Sequence, residues 1–138
     1  MRTLTYAQAI REAHAQLLAE DPRVFLIGQG VRNPWYAGTS LQDLDKEFGR
    51  DRVIDSPVSE NATTGAAIGA AITGMRPIVF HPRMDFMLLA ADPIMNQAAN
   101  WSYLSYPQNF RGAPSLQPGN YSVRWDVSGF GTVANDSF

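Results

Sequence analysis

Asp55-Ser56-Pro57-Val58-Ser59-Glu60-Asn61 sets two carboxylates and two hydroxyls between a short apolar run and a helix rich in small residues. In an open parallel sheet, ligands bind beyond the carboxyl ends of the strands, so a carboxylate at such a junction faces a crevice. Glu60 is therefore the candidate functional acid. The same residues also have a purely structural reading, in which Ser59 caps the helix and Glu60 complements the positive end of its dipole. Spacing alone does not separate the two. His81 and Arg83 follow the next apolar run and are placed to reach the same crevice, where they would meet a substrate carboxylate. A lone histidine is more often a hydrogen-bonded surface or core residue. His14, on the first helix, is expected to face solvent. With two histidines, no cysteine and no carboxylates at ligand spacing, a metal site built by this chain is not expected. Gly28-Gln29-Gly30 lacks the third glycine of a dinucleotide fingerprint and no Walker pattern occurs, so nucleotide binding is the weaker enzyme class.

These residues must be positioned by the elements around them. Thr5 with Gln8 three residues on makes a capping-box pattern, and Ala9, Ile10, Ala13, Leu17 and Leu18 follow at helical spacing until Asp21-Pro22. Val24-Phe25-Leu26-Ile27 is a continuous apolar run of the kind buried on both faces of a sheet. Ser40 is expected to cap a short helix reaching Phe48, ended by Gly49 in a left-handed conformation. Val53-Ile54 predicts a brief strand, 60–73 a helix ended by Gly74, and Pro77-Ile78-Val79-Phe80 another buried strand. Residues 85–104 read as a helix that Pro93 starts or kinks. This alternation predicts an α/β fold, a three-layer domain with a mainly parallel sheet, over 1–104. Gly65 and Gly69 lie on one helical face, suited either to a partner interface or to a close contact inside the domain.

From residue 105 onward, Pro107, Gly112, Pro114, Pro118 and Gly119 interrupt any long helix. Tyr121, Val123, Trp125 and Val127 alternate with polar residues, so the tail, 105–138, is expected to carry one amphipathic strand packed on the same domain, near a sheet edge or a protein contact. The chain has 138 residues, 45% hydrophobic and 17% charged, enough to bury a core. Its formal net charge of −2, with no basic run, argues against nucleic acid and anionic membranes as partners. No signal-peptide pattern opens the chain, and no apolar stretch approaches membrane-spanning length. Together with the lack of cysteine, this gives a cytoplasmic expectation.

Arg52-Val53-Ile54 leading into the Asp55 to Asn61 motif, then Gly65-Ala66-Ala67-Ile68-Gly69-Ala70-Ala71 and Gly74-Met75-Arg76-Pro77, resembles the β subunit of the first component of thiamine diphosphate-dependent 2-oxo acid dehydrogenases. Asp85-Phe86-Met87-Leu88-Leu89, Asp92 and Asn96-Gln97-Ala98-Ala99-Asn100-Trp101 resemble the next helix of that family. Thr5-Tyr6-Ala7-Gln8-Ala9 and Asp21-Pro22-Arg23-Val24-Phe25 resemble its opening. The resemblance covers roughly residues 3–104, and the order of its motifs is more specific than any one of them. It implies a transketolase-like domain that binds the aminopyrimidine ring of thiamine diphosphate, with Glu60 as the catalytic glutamate. A carboxyl sharing a proton with the ring nitrogen favours the imino tautomer, which can then take the proton from the thiazolium carbon. By the same resemblance Val58 touches the ring's edge and Phe86 packs on its face. For Phe86, an ordinary core aromatic is the alternative.

In that family the diphosphate and magnesium are held by a Gly-Asp-Gly motif and a downstream Asn on the α subunit, and this chain contains no such motif. The resemblance therefore implies an α-type partner, with or without a homodimer, and no activity of the chain alone toward a small-molecule 2-oxo acid. After Tyr103 the family's glycine-containing turn, buried strand and catalytic His are not recognisable, and its second domain has no counterpart here. A non-catalytic interaction or scaffold domain that keeps the fold without the cofactor is the alternative function.

Overall fold

The computed structural model describes residues 3–35, 39–101, 122–127 and 131–137, the last two stretches as backbone alone. Helix α1 spans Tyr6–Glu20, and both arms of its capping box form. Thr5 Oγ1 accepts from the Gln8 N–H at 3.3 Å, and Gln8 Oε1 accepts from the Thr5 N–H at 2.9 Å. Two of the donors left open at a helix start are thereby satisfied. At the other end Asp21 leaves the helix in an extended conformation. Its carboxylate, hydrogen-bonded by the Arg23 side chain and then by the Arg23 N–H, is held down to about 2.

Three strands make one parallel sheet: β1, Val24–Gly28, lies between β2, Val53–Asp55, and β3, Arg76–Phe80. Leu26 pairs with Val53 on one side and Ile78 on the other. Successive strand residues point to opposite faces, yet Val24, Phe25 and Leu26 are all buried, so both faces of β1 are covered. Helices α1 and α2, Leu44–Phe48, pack together, α1 on β1 and α2 on β2, while α3, Glu60–Ile72, packs on β1 and β3. The main core joins Leu18, Val24, Leu26, Val31, Leu41, Leu44 and Val53. Arg52 stitches β2 to β1's entry, its guanidinium donating to the carbonyls of Val24 and Asp21. None of the described helices is long and apolar enough to cross a membrane.

Several expectations need correction. Ser40 does not cap α2: it is buried within the preceding turns, and the helix starts four residues later behind Asp43, whose φ of +58° breaks the chain direction. Gly49 does end that helix, at φ +88°. Gly74, at φ +96°, closes α3 as expected. His14 does not face solvent; it is half-buried, with its ring edge-on to Phe80 at a centroid distance of 5.2 Å.

The expected helix over 85–104 is a composite as far as it is described. A short α4, Met84–Met87, passes into a 3-10 turn, Leu88–Ala90, and then a π segment, Pro93–Ala98. Pro93 lacks an N–H, so regular i to i−4 bonding cannot pass through it, and the wider π turn absorbs the mismatch. Residues 102–104 of that expectation lie outside the described ones. In the tail, β4, Ser122–Val127, falls where one strand is expected, and β5, Gly131–Ser137, is a second. The two are antiparallel, with a register irregularity between Trp125 and Asp126. Tyr121 and the side-chain alternation from Val123 to Val127 lie outside what is described.

Candidate functional site

The carboxyl ends of β1 and β2 are held together by their outgoing backbone. The Ser56 N–H donates to the Gly28 carbonyl at 2.9 Å, and the Gly30 N–H donates to Asp55 Oδ1 at 2.6 Å. Gly28 permits this junction, since a Cβ there would lie 2.5 Å from the Phe80 carbonyl oxygen and 2.8 Å from the Phe80 Cβ. Only a residue without a side chain lets β3 pass so close to β1. At this end of the sheet a small hollow of about 10 Å³, partly open to solvent and with room for about one water molecule, is lined by Gln29, Ser56, Ser59, Glu60, Phe80 and His81 among others.

Glu60 is the first residue of α3 and is 7% exposed. That burial separates it from the ordinary first-turn acid of a surface helix, which stays in water. Ser59 precedes the helix but its side chain makes no capping bond, so the cap half of the structural reading of this motif is not what forms. Instead the start of α3 is tied by the Thr63 N–H donating to the Ser59 carbonyl at 2.9 Å and by Thr63 Oγ1 donating to Ser56 Oγ at 3.3 Å. Gln29 Nε2 approaches Glu60 Oε1 at 3.4 Å.

His81 stands opposite, on the residue after β3, with Nε2 3.3 Å from the buried Thr64 hydroxyl of α3. Burial pushes the His81 imidazole below its ordinary value of 6.5, and the negative charge of Glu60 pulls the other way. Glu60 and His81 thus share one hollow as the sequence suggests. The other expected residues lie apart from it. Arg83 turns away to Asp85, donating at 3.0 and 2.8 Å, and its guanidinium sits 5.3 Å from the Phe86 ring centroid. Phe86 is 37% exposed and Val58 79%, and neither lines the hollow. Gly65 and Gly69 have nothing within 4 Å of where a Cβ would be, so no close contact inside the described chain accounts for them.

Ser56 lies inside the motif the sequence singled out, whereas Gln29, Thr63 and Thr64 meet Glu60, Ser56 and His81 without a sequence signal of their own. Gln29 lies 31 positions from Glu60, in a loop whose glycines point to a turn and not to a partner.

Residues 2–106 match the family model described as the transketolase pyrimidine-binding domain. The chain belongs to that family. Among curated proteins, this pyrimidine-binding domain is 40% identical over 114 residues to the pyruvate dehydrogenase E1 component subunit beta of Rhizobium meliloti, covering 83% of the chain and 24% of the relative. It is 42% identical over 97 residues to the protein of that name from Gracilaria tenuistipitata, 70% of the chain and 30% of the relative. To the mitochondrial subunit beta of Saccharomyces cerevisiae it is 38% identical over 104 residues, 75% of the chain and 28% of the relative. The chain thus spans about a quarter to a third of the length of these relatives.

Proposed function

We propose that this chain supplies the aminopyrimidine-binding half of a thiamine diphosphate site in a 2-oxo acid dehydrogenase, acting with an α-type partner. The observation that carries the reading is the Glu60 carboxyl, buried at the end of a parallel sheet and bordering an open hollow. The ring nitrogen of a heterocycle seated at the mouth of that small hollow suits Glu60, because a withdrawn carboxyl needs a hydrogen-bonding partner. The names of the relatives support the same cofactor class, since the E1 components they denote are thiamine diphosphate-dependent.

When bound, thiamine diphosphate provides a nucleophilic carbon and an electron sink for loss of carbon dioxide from the 2-oxo acid. The chain's own part is binding and proton handling. Glu60 holds or shares a proton at the pyrimidine ring nitrogen, its burial at the start of α3 withdrawing it from bulk water. His81, held by Thr64, offers a polar contact toward the substrate side of the hollow. Val58 and Phe86, carried over from the family resemblance, reach the ring only if the occupied site draws their segments inward. The diphosphate and magnesium belong to the partner in this reading. A homodimer is compatible with the same arrangement.

The exposure of Val58 and Phe86 favours a second reading, a scaffold domain that keeps the fold without the cofactor. Calorimetric titration with thiamine diphosphate and magnesium, of the chain alone and of its complex with an α-type subunit, distinguishes the two. Tight binding by the complex and none by the chain alone is expected. A complex that forms but binds no cofactor would support the scaffold.

A further inference from the structure

Gln29 is a loop side chain with two polar ends and one described contact. Its Nε2 donates to Glu60 Oε1 at 3.4 Å, while its Oε1 is buried with no hydrogen-bond partner among the described residues. Buried amide oxygens are nearly always satisfied, so an orphan of this kind calls for a reason. The orientation of the amide is informative. Turned the other way, its oxygen would face the carboxylate, acceptor against acceptor, so Glu60 sets the orientation seen. The loop is not free to choose another geometry: Gly28 is wedged against Phe80, and the Gly30 N–H is held by Asp55 on either side of Gln29.

We propose that Gln29 is the positioning residue of Glu60, donating an amide hydrogen to its Oε1 so that the carboxyl is held in one orientation beside the hollow before any ligand arrives. The inference rests on the reading of Glu60 as the acid of the site, and gives that acid a support absent from the motif itself. Of the elements packed on α3, β1 and the 3-10 and π segments carry no titratable side chain, and β3 carries Arg76 at its far end, paired with Asp21. His81 is the titratable group facing Glu60 in the hollow's lining. Asp55, at the end of β2, is engaged by the Gly30 N–H.

The test is NMR of the full chain without cofactor, following the Gln29 side-chain amide and the Glu60 carboxyl carbon, with E60Q for assignment. The Gln29 amide protons should shift between wild type and E60Q by more than any other side-chain amide, and Q29L should broaden or split the Glu60 carboxyl signal as the carboxyl loses its single orientation. A Gln29 amide unmoved by E60Q, with an unchanged Glu60 signal in Q29L, would overturn the proposal. If Q29L does not fold, the wild-type and E60Q amide signals decide alone. Failure of thiamine diphosphate to bind would count against the cofactor reading and leave these signals unaffected.

Discussion

At the scale of single residues, burial turns an ambiguous motif into a site. Asp55 and Glu60 are both acids at strand-to-helix junctions, but Asp55 is spent on the Gly30 N–H while Glu60 borders open space. His81 adds a pH signature. Its folded imidazole titrates below 6.5, so as pH falls through that value the unfolded chain takes up protons that the folded chain refuses. Stability is full above 6.5 and declines below it. Urea unfolding at pH 7.5 and 5.5 should accordingly give a smaller loss for His81→Asn than for wild type. An equal loss in both would place the effect elsewhere. The Asp55 to Asn61 motif made Glu60 legible. Gln29 was not, because its role is a contact between loops far apart in the chain. His14 escaped for the same reason: on the first helix it was expected to face solvent, and the edge-on Phe80 ring from a distant strand packs against it.

At the scale of elements, local rules succeeded where local forces decide. The capping box of α1 needs only Thr5 and Gln8, and Thr5→Ala should cost about 1 kcal/mol in chemical unfolding. Ser59→Ala, by contrast, should change stability by less than about 0.5 kcal/mol, since the Ser59 side chain makes no cap. A loss as large as that of Thr5→Ala would restore the capping reading of the motif. The central strand β1 was legible as an unbroken apolar run and is buried, whereas β3, expected to be buried from the similar run Pro77 to Phe80, is only partly buried because it is an edge strand of the described sheet. The start of α2 was not, because a backbone turn at Asp43 displaces the helix from the serine that looked like its cap. Pro93 announced a disturbance, and the way it is accommodated, through 3-10 and π turns, depends on packing against α3. Gly28→Ala tests the junction directly. The added methyl meets β3 backbone and should destabilise by about 1–3 kcal/mol, read as a shifted urea midpoint at constant slope.

At the scale of the whole molecule, the described fold brings Glu60 and His81 together beside a small hollow at the carboxyl end of its parallel sheet. The family match accounts for residues 2–106, and the parallel sheet with its covered faces is what the alternation of elements predicted. The second strand of the tail was missed because Gly131 to Ser137 is short of large apolar residues, and pairing with β4 supplies order that composition does not. Catalysis by such a domain is shared work in this account, with the acid here and the phosphate grip on another chain. Steady-state decarboxylation by the complex with an α-type subunit, wild type against Glu60→Gln, tests this most directly. The amide is nearly isosteric but cannot give or take the proton, so the rate should fall by about 10²–10⁴-fold with folding unchanged. Turnover by Glu60→Gln equal to wild type, in a correctly assembled complex, would contradict the account.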